Sequence, residues 1–198
     1  MKEIWNQRYA EEGFVYGEQP NEWLKEQLKV LLPGTILFSA EGEGRNAVYA
    51  AQKGWDVMAF DQSESGREKA LLFAREKNTR LQYDVCDILE TDYPSESFDV
   101  IAWIYCHLPE EIRNQAARHI VSFLKPGGML IFEAFAKEHI AHNTSGPKLE
   151  EMLYNEEMIR NDFSGFDFQI LRKEEVILDE GSLHQGDSTV WRVLAVKH

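Results

Sequence analysis

The chain has 198 residues, enough for one α/β unit with a modest extension and too few for two full domains. It carries 21 Lys and Arg against 34 Asp and Glu, a net charge of −13, which argues against a grip on nucleic-acid backbones and favours a small-molecule partner. No run of about 18 apolar residues occurs, Met1–Asn6 has no apolar signal core, and Cys86 and Cys106 lack the spacing of a zinc or redox motif, so a cytoplasmic protein with reduced, packed thiols and no membrane contact is expected.

The N-terminal stretch is aromatic (Trp5, Tyr9, Phe14, Tyr16). Pro20-Asn21 then offers an N-cap for a helix through Trp23, Leu24, Leu28 and Leu31, stopped by Pro33-Gly34. Residues 1–33 are expected to form a helical cap on a core spanning 34–198, the whole being a single domain. Thr35–Ser39 reads as an apolar strand that empties into Ala40-Glu41-Gly42-Glu43-Gly44, and a helix over about Asn46–Lys53 opens at once. Gly42 and Gly44 remove two Cβ atoms where the backbone turns and a ligand approaches, and the free N–H groups of the new helix face the same place. A strand ending at Asp61 follows. A carboxylate there is placed to accept hydrogen bonds from both ribose hydroxyls of a nucleoside.

The alternation continues with a helix over Glu64–Lys77, a strand over Leu81–Cys86, a buried strand over Phe98–Tyr105 and a helix over Glu110–Leu124. Lys125-Pro126-Gly127-Gly128 stops that helix before a fifth strand, Met129–Phe135. Strands alternating with helices imply a parallel sheet covered on both faces. The tail is read as a helix over Leu149–Phe163, then two β-rich runs, Phe168–Leu178 and Thr189–Lys197, forming an antiparallel edge hairpin.

Gly42-x-Gly44-x-x-Ala47 with Asp61 also satisfies the dinucleotide fingerprint, so the loop alone does not separate a hydride carrier from a methyl donor. A dehydrogenase needs a substrate domain or a Ser/Tyr/Lys constellation, and neither is visible. The segments Glu41–Asn46, Phe60-Asp61-Gln62-Ser63, Asp84-Val85-Cys86-Asp87, Phe98–Ile101 and Leu124–Gly128 occur in the order in which the class I S-adenosylmethionine-dependent methyltransferases carry their motifs, and the chain resembles that family over nearly its whole length. Tyr16-Gly17-Glu18-Gln19-Pro20-Asn21 looks like the opening of its small branch of tellurite-resistance and thiopurine methyltransferase-like proteins.

The resemblance implies a Rossmann-like α/β three-layer sandwich with a seven-stranded, mostly parallel sheet and S-adenosyl-L-methionine across the carboxyl ends of the first strands. Matched by position, Gly42 and Gly44 approach the methionine and ribose parts, Asp61 with neighbouring Gln62 the ribose, Asp87 and Ile88 the adenine, and Ala102 and Trp103 the methionine side. The family's usual acid falls on Phe38 and its first glycine on Ala40, so Glu41 is expected to supply the carboxylate for the methionine amino group. Arg45 is expected to pair with Glu43 or an acid across the loop. Asp99 is read as scaffold.

His107, at the carboxyl end of the fourth strand, is the candidate general base, with packing or a backbone hydrogen bond as its rival role. Tyr16 and Trp5 are candidate lid residues, Glu133 and Arg113 lesser candidates for touching a substrate, and Asn143–Lys148 a candidate lid loop. His139 and His142 lack the partners of a metal site, and no serine elbow is present. The expected function is methyl transfer to a small molecule (a thiol, chalcogen oxyanion, amine or acid) by a monomer or homodimer; the alternative is a non-catalytic protein that binds S-adenosylmethionine or S-adenosylhomocysteine.

Overall fold

Thr35–Ser39 (β1), Asp56–Asp61 (β2), Gln82–Val85 (β3), Phe98–Ile104 (β4), Leu124–Phe135 (β5), Phe166–Asp179 (β6) and Gln185–Lys197 (β7) form one sheet in the computed structural model, ordered β3-β2-β1-β4-β5-β7-β6. Residues 2–142, 144 and 146–198 are described, so Asn143 and Ser145 of the expected lid loop lie outside the described residues. Strands β1 to β5 pair in parallel, and β7 inserts antiparallel between β5 and β6. The expected edge hairpin is thus present, with β6 as the edge and running in the direction of the parallel strands.

Among the described residues six α-helices accompany the sheet: Lys2–Ala10 (α1), Glu22–Leu28 (α2), Arg45–Gln52 (α3), Glu64–Glu76 (α4), Glu110–Val121 (α5) and Glu156–Asp162 (α6). Because successive side chains of a strand face opposite sides, the buried strands feed two cores. Ile36, Phe38, Val57, Ala59, Val100 and Ala102 pack with Trp23 and Leu24 of α2 and Ala47 and Ala50 of α3. Leu37, Phe60, Ile101 and Trp103 pack on the other face with Ala116 and Ile120 of α5 and Ile159 of α6. Trp103 and Phe132 meet Phe163 edge-on at 5.8 and 5.7 Å, and each such fully buried ring contributes roughly 1.5–3 kcal/mol.

Two sequence signals explain where helices begin. The Asn21 side chain accepts from Leu24 N at 2.9 Å, the N-cap expected for α2. The single helix expected over 149–163 is instead broken. Leu153 and Tyr154 run extended, Tyr154 N–H donates to Phe135 O at 3.0 Å, and Asn155 caps α6 by accepting from Met158 N at 2.8 Å. Asn155 offers the backbone a cap where a continuous helix would need it as an interior residue, and the backbone at the carboxyl end of β5, Phe135–Lys137, takes up the freed groups of Tyr154. Asp99 holds the strand start as expected, accepting from Thr35 N–H at 2.9 Å and from Lys125 Nζ at 2.6 Å. Among the described residues no helix is long and apolar enough to cross a membrane.

Candidate active site

The order β2-β1-β4 puts a topological switch between β1 and β4, where crossovers leave in opposite directions and a crevice opens at the carboxyl ends. A cavity lies there. The space between its walls, including the part open to solvent, is about 1070 Å³. Ala40 and Tyr105, the residues that follow β1 and β4, both take left-handed backbone conformations (φ 52° and 51°) and both line the cavity. Each costs on the order of 1–3 kcal/mol for a non-glycine residue, a strain that clusters where ligands bind.

The glycine loop is built differently from the expectation. Gly42 (φ 65°) and Gly44 (φ 87°) do turn the backbone, but neither lines the cavity. A Cβ on Gly42 would stand 2.6 Å from the Tyr9 hydroxyl, and one on Gly44 2.5 Å from Ala70 Cβ. The space the glycines free is therefore filled by α1 and α4 rather than held open for a ligand. Gly42 N–H donates to Asp61 Oδ2 at 3.1 Å and its carbonyl accepts from the Tyr83 hydroxyl at 2.6 Å.

Glu41 and Asp61 stand on either side of this loop in the cavity wall. Glu41 Oε1 accepts from Asn46 N and Ala47 N at 2.9 and 2.7 Å, capping α3 and setting a carboxylate at the positive end of its dipole. Burial pushes the Glu41 carboxyl up to about 7 despite these donors, and burial likewise raises Asp61 to about 6 against the hydrogen bonds from Ser63 and Gly42. Asp61 Oδ1 accepts from Ser63 N at 2.9 Å, and a carboxylate's two oxygens offer about four acceptor sites, more than these backbone donors fill. Gln62, Asp87 and Ile88 also line the cavity, with Asp87 Oδ1 accepting from Leu89 N at 3.0 Å.

At the end of β4 the structure corrects two expectations. Ala102 and Trp103 are 1% and 0% exposed and face the two cores, because β4 runs on to Ile104. The residues that reach the cavity are Ile104 to Leu108. His107 is among them, but both ring nitrogens are engaged by backbone: Nδ1 lies 2.7 Å from Met152 O and Nε2 accepts from Phe135 N at 3.3 Å. This sets the Nδ1–H tautomer and leaves no lone pair for a substrate proton. Burial drives its pKa down to about 4. Its role is the rival one, bracing Phe135 against the 150s, and His107→Ala is expected to cost about 1–3 kcal/mol in denaturant unfolding by orphaning those two buried groups.

The N-terminal segment closes the cavity with Trp5, Tyr9, Tyr16 and Gly17. Tyr16 accepts from Arg8 Nη1 at 3.1 Å and packs 4.6 Å from the ring of His184, which lies just before β7. A buried polar network fastens this cover. Arg45 Nη2 pairs with Glu180 Oε2 at 2.6 Å, an acid across the loop, while Glu43 pairs with Lys69 at 2.9 Å and accepts from Val15 N at 2.8 Å. Asn21 Nδ2 donates to Glu133 Oε1 at 2.6 Å and to Glu180 Oε1 at 3.2 Å, and Asn21 N–H donates to Asn46 Oδ1 at 2.8 Å. Glu133, fully buried and held by Arg192 at 2.6 Å, and Arg113, paired with Asp162 at 2.7 Å, belong to the scaffold and do not line the cavity.

Residues 36–128 match the family model of a methyltransferase domain. Over its full length the chain superposes on magnesium protoporphyrin IX methyltransferase from Synechocystis PCC 6803, solved with bound SAH, covering 99% of that chain with a TM-score of 0.71 and 19% identity. The chain has the class I methyltransferase fold. Among curated proteins it is 32% identical over 119 residues to methyltransferase GfsG of Streptomyces halstedii, covering 58% of this chain and 42% of that protein. It is 29% identical over 136 residues to the 2-heptyl-1-hydroxyquinolin-4(1H)-one methyltransferase of Mycobacteroides abscessus, covering 66% and 59%. The chain spans about half the length of these curated relatives.

Within this methyltransferase fold the structure brings Tyr16, Glu41, Asp61, Gln62, Asp87, Ile88 and His107 to one cavity and leaves Gly42, Gly44, Ala102 and Trp103 outside its lining. It adds Tyr105, Cys106, Leu108 and Ile112 from the fourth crossover and His184 from the tail. Asp61 and Asp87 had a local signal, an acid at a strand end. His184 had none, because its place depends on β7 inserting beside β5.

Proposed function

We propose that the protein transfers a methyl group from S-adenosyl-L-methionine to a small-molecule acceptor. The observation that carries this reading is the walled cavity at the carboxyl ends of β1, β2 and β4, with Asp61 and Glu41 on its rim, inside the segment that matches the methyltransferase-domain model. The cofactor supplies a methyl group already activated by a sulfonium, so the protein's task is alignment and exclusion of water. Asp61 has lone pairs free to accept from ribose hydroxyls. The second oxygen of Glu41 suits the methionine ammonium, Asp87 and Ile88 suit the adenine, and Tyr16 with Trp5 shields the reacting groups. In this reading residues 1–33 are the cap of one catalytic domain.

Calorimetric titration tests it. Saturable binding of S-adenosylhomocysteine and none of NAD is expected; failure of both adenosyl ligands to bind overturns the proposal. The titration carries a pH signature. Glu41 and Asp61 hold their protons up to about pH 7 and 6 in the ligand-free protein, so a cationic ligand end that needs carboxylates must displace protons below those values. Affinity is expected to fall as pH drops from 8 to 5.5, with proton release at pH 6.5 read from the buffer dependence of the heat. In the ligand-free protein the sign is opposite: these raised groups favour folding most below the ordinary carboxyl range, and that contribution is lost as pH rises through 6 and 7.

A further inference from the structure

The turn between β6 and β7 places a second histidine in the cavity wall. His184 is 6% exposed, and its ring lies 4.6 Å from Tyr16, 4.4 Å from Tyr105 and 5.5 Å from Phe135. Unlike His107, it has a buried Nδ1 with no partner within hydrogen-bond distance among the described residues, and the nearest carboxylate oxygen, Glu180 Oε2, stands 3.8 Å away. Glu180 is itself fixed by Arg45 and Asn21. A carboxylate on the Nδ1 side favours the tautomer with its proton there and leaves the lone pair on Nε2 of a residue that lines the cavity, the arrangement of an oriented general base.

We propose that His184 takes the acceptor's proton during methyl transfer, and that the acceptor is a neutral molecule with an ionisable hydroxyl on an apolar frame; this rests on the methyl-transfer reading above. The wall decides the acceptor class. Glu41, Glu43, Asp61 and Asp87 line it, and Arg45, the one Lys or Arg among the lining residues, is engaged by Glu180. A chalcogen oxyanion or a carboxylate has no cation to meet there, and a thiol ionises without help. A neutral hydroxyl needs a base and finds apolar surface in Ile104, Leu108 and Ile112. The acceptor oxygen forms its bond to the methyl carbon as its proton passes to Nε2; the carbon–sulfur bond breaks with its electron pair returning to sulfur, and the imidazolium then releases the proton to solvent. Burial lowers the pKa of His184 against the pull of Glu180, with Arg45 and His139 adding to the lowering, so the imidazole is neutral and ready to accept at pH 7.

The test uses 2-naphthol and 2-naphthalenethiol, which share one shape and differ in acidity, on the wild-type chain and His184→Gln. Calorimetry with S-adenosylhomocysteine comes first: affinities within about threefold of each other are expected, and no binding to the wild type overturns the methyl-transfer reading itself. With S-adenosylhomocysteine bound, 2-naphthol is expected to bind the variant at least about tenfold more weakly. Its methylation is expected to fall about 10²–10⁴-fold in kcat, with loss of the acidic limb of the pH profile, while the thiol loses less than about tenfold. Glu180→Gln, at a positioning residue, is expected to shift that limb rather than abolish it. Cofactor binding retained while the wild type fails to bind 2-naphthol, or while His184→Gln binds and methylates it as well as the wild type, overturns the proposal.

Discussion

Arg45→Met is expected to destabilise the protein by about 3–5 kcal/mol in denaturant unfolding, because it leaves Glu180 charged and buried without its cation. The pair is 7% and 9% exposed at the side-chain level and meets at 2.6 Å. Arg45 Nη1 also donates to Gln19 O at 3.2 Å, so one side chain ties α3 to the segment before α2 and to the β6–β7 turn. A cation in the first turn of a helix opposes the dipole, and the arrangement stands only because Glu41 and Glu180 supply negative charge beside it. Burial pushes the Glu180 carboxyl up, but the Arg45 guanidinium beside it outweighs this and holds it down to about 2. The folded value lies below the unfolded one, so the stabilisation is complete above the ordinary carboxyl range and disappears as pH falls toward 2. The difference between wild type and variant should therefore shrink over that window. Replacing both partners, Arg45→Met with Glu180→Leu, should recover most of the loss, since an apolar pair carries no desolvation penalty. A single variant as stable as the wild type would show that the ion pair does not hold the cover.

The parts of this molecule that were legible in the sequence are those set by local rules. Alternating strand and helix periods yielded the seven strands and the helices between the parallel ones, Asn21 announced α2, and Asp61 and Asp87 announced the cavity rim from their strand ends. What misled was information carried by distant partners. The glycines read as room for a ligand, yet Tyr9 and Ala70 fill that room from elsewhere in the chain. His107 stood where a base belongs, but Met152 and Phe135 had already taken its nitrogens. Ala102 and Trp103 were placed at the site by positional match to the family, but β4 carries both between the two cores before it reaches the cavity at Ile104. His184 was invisible because a residue on the final hairpin reaches the cavity only once β7 has paired with β5 and set the preceding turn beside Tyr105.

Asp61→Ala is expected to weaken S-adenosylhomocysteine binding by about 1.5–3 kcal/mol, roughly 10–150-fold, through loss of charge-assisted ribose contacts. Asp61 is the residue on which the loop and the ligand both depend. Its two oxygens draw Gly42 N–H and Ser63 N–H together, fixing the glycine turn to the end of β2 before any ligand arrives. The same geometry makes Asn a poor substitute. An amide must turn its NH₂ toward one of those two backbone donors, so Asp61→Asn should lose about as much affinity as the alanine variant instead of an intermediate amount. The two roles separate by measurement. Loosening of the loop lowers the melting temperature of the ligand-free protein, whereas loss of the ribose contact appears only in the binding constant. Thermal unfolding without ligand, followed by calorimetry with S-adenosylhomocysteine and with its deribosylated base, adenine, apportions them. Adenine should bind both proteins alike if Asp61 acts on the ribose. An S-adenosylhomocysteine affinity unchanged in Asp61→Ala would remove the residue from the site and leave Glu41, which caps α3 beside the same loop, as the acid to substitute next.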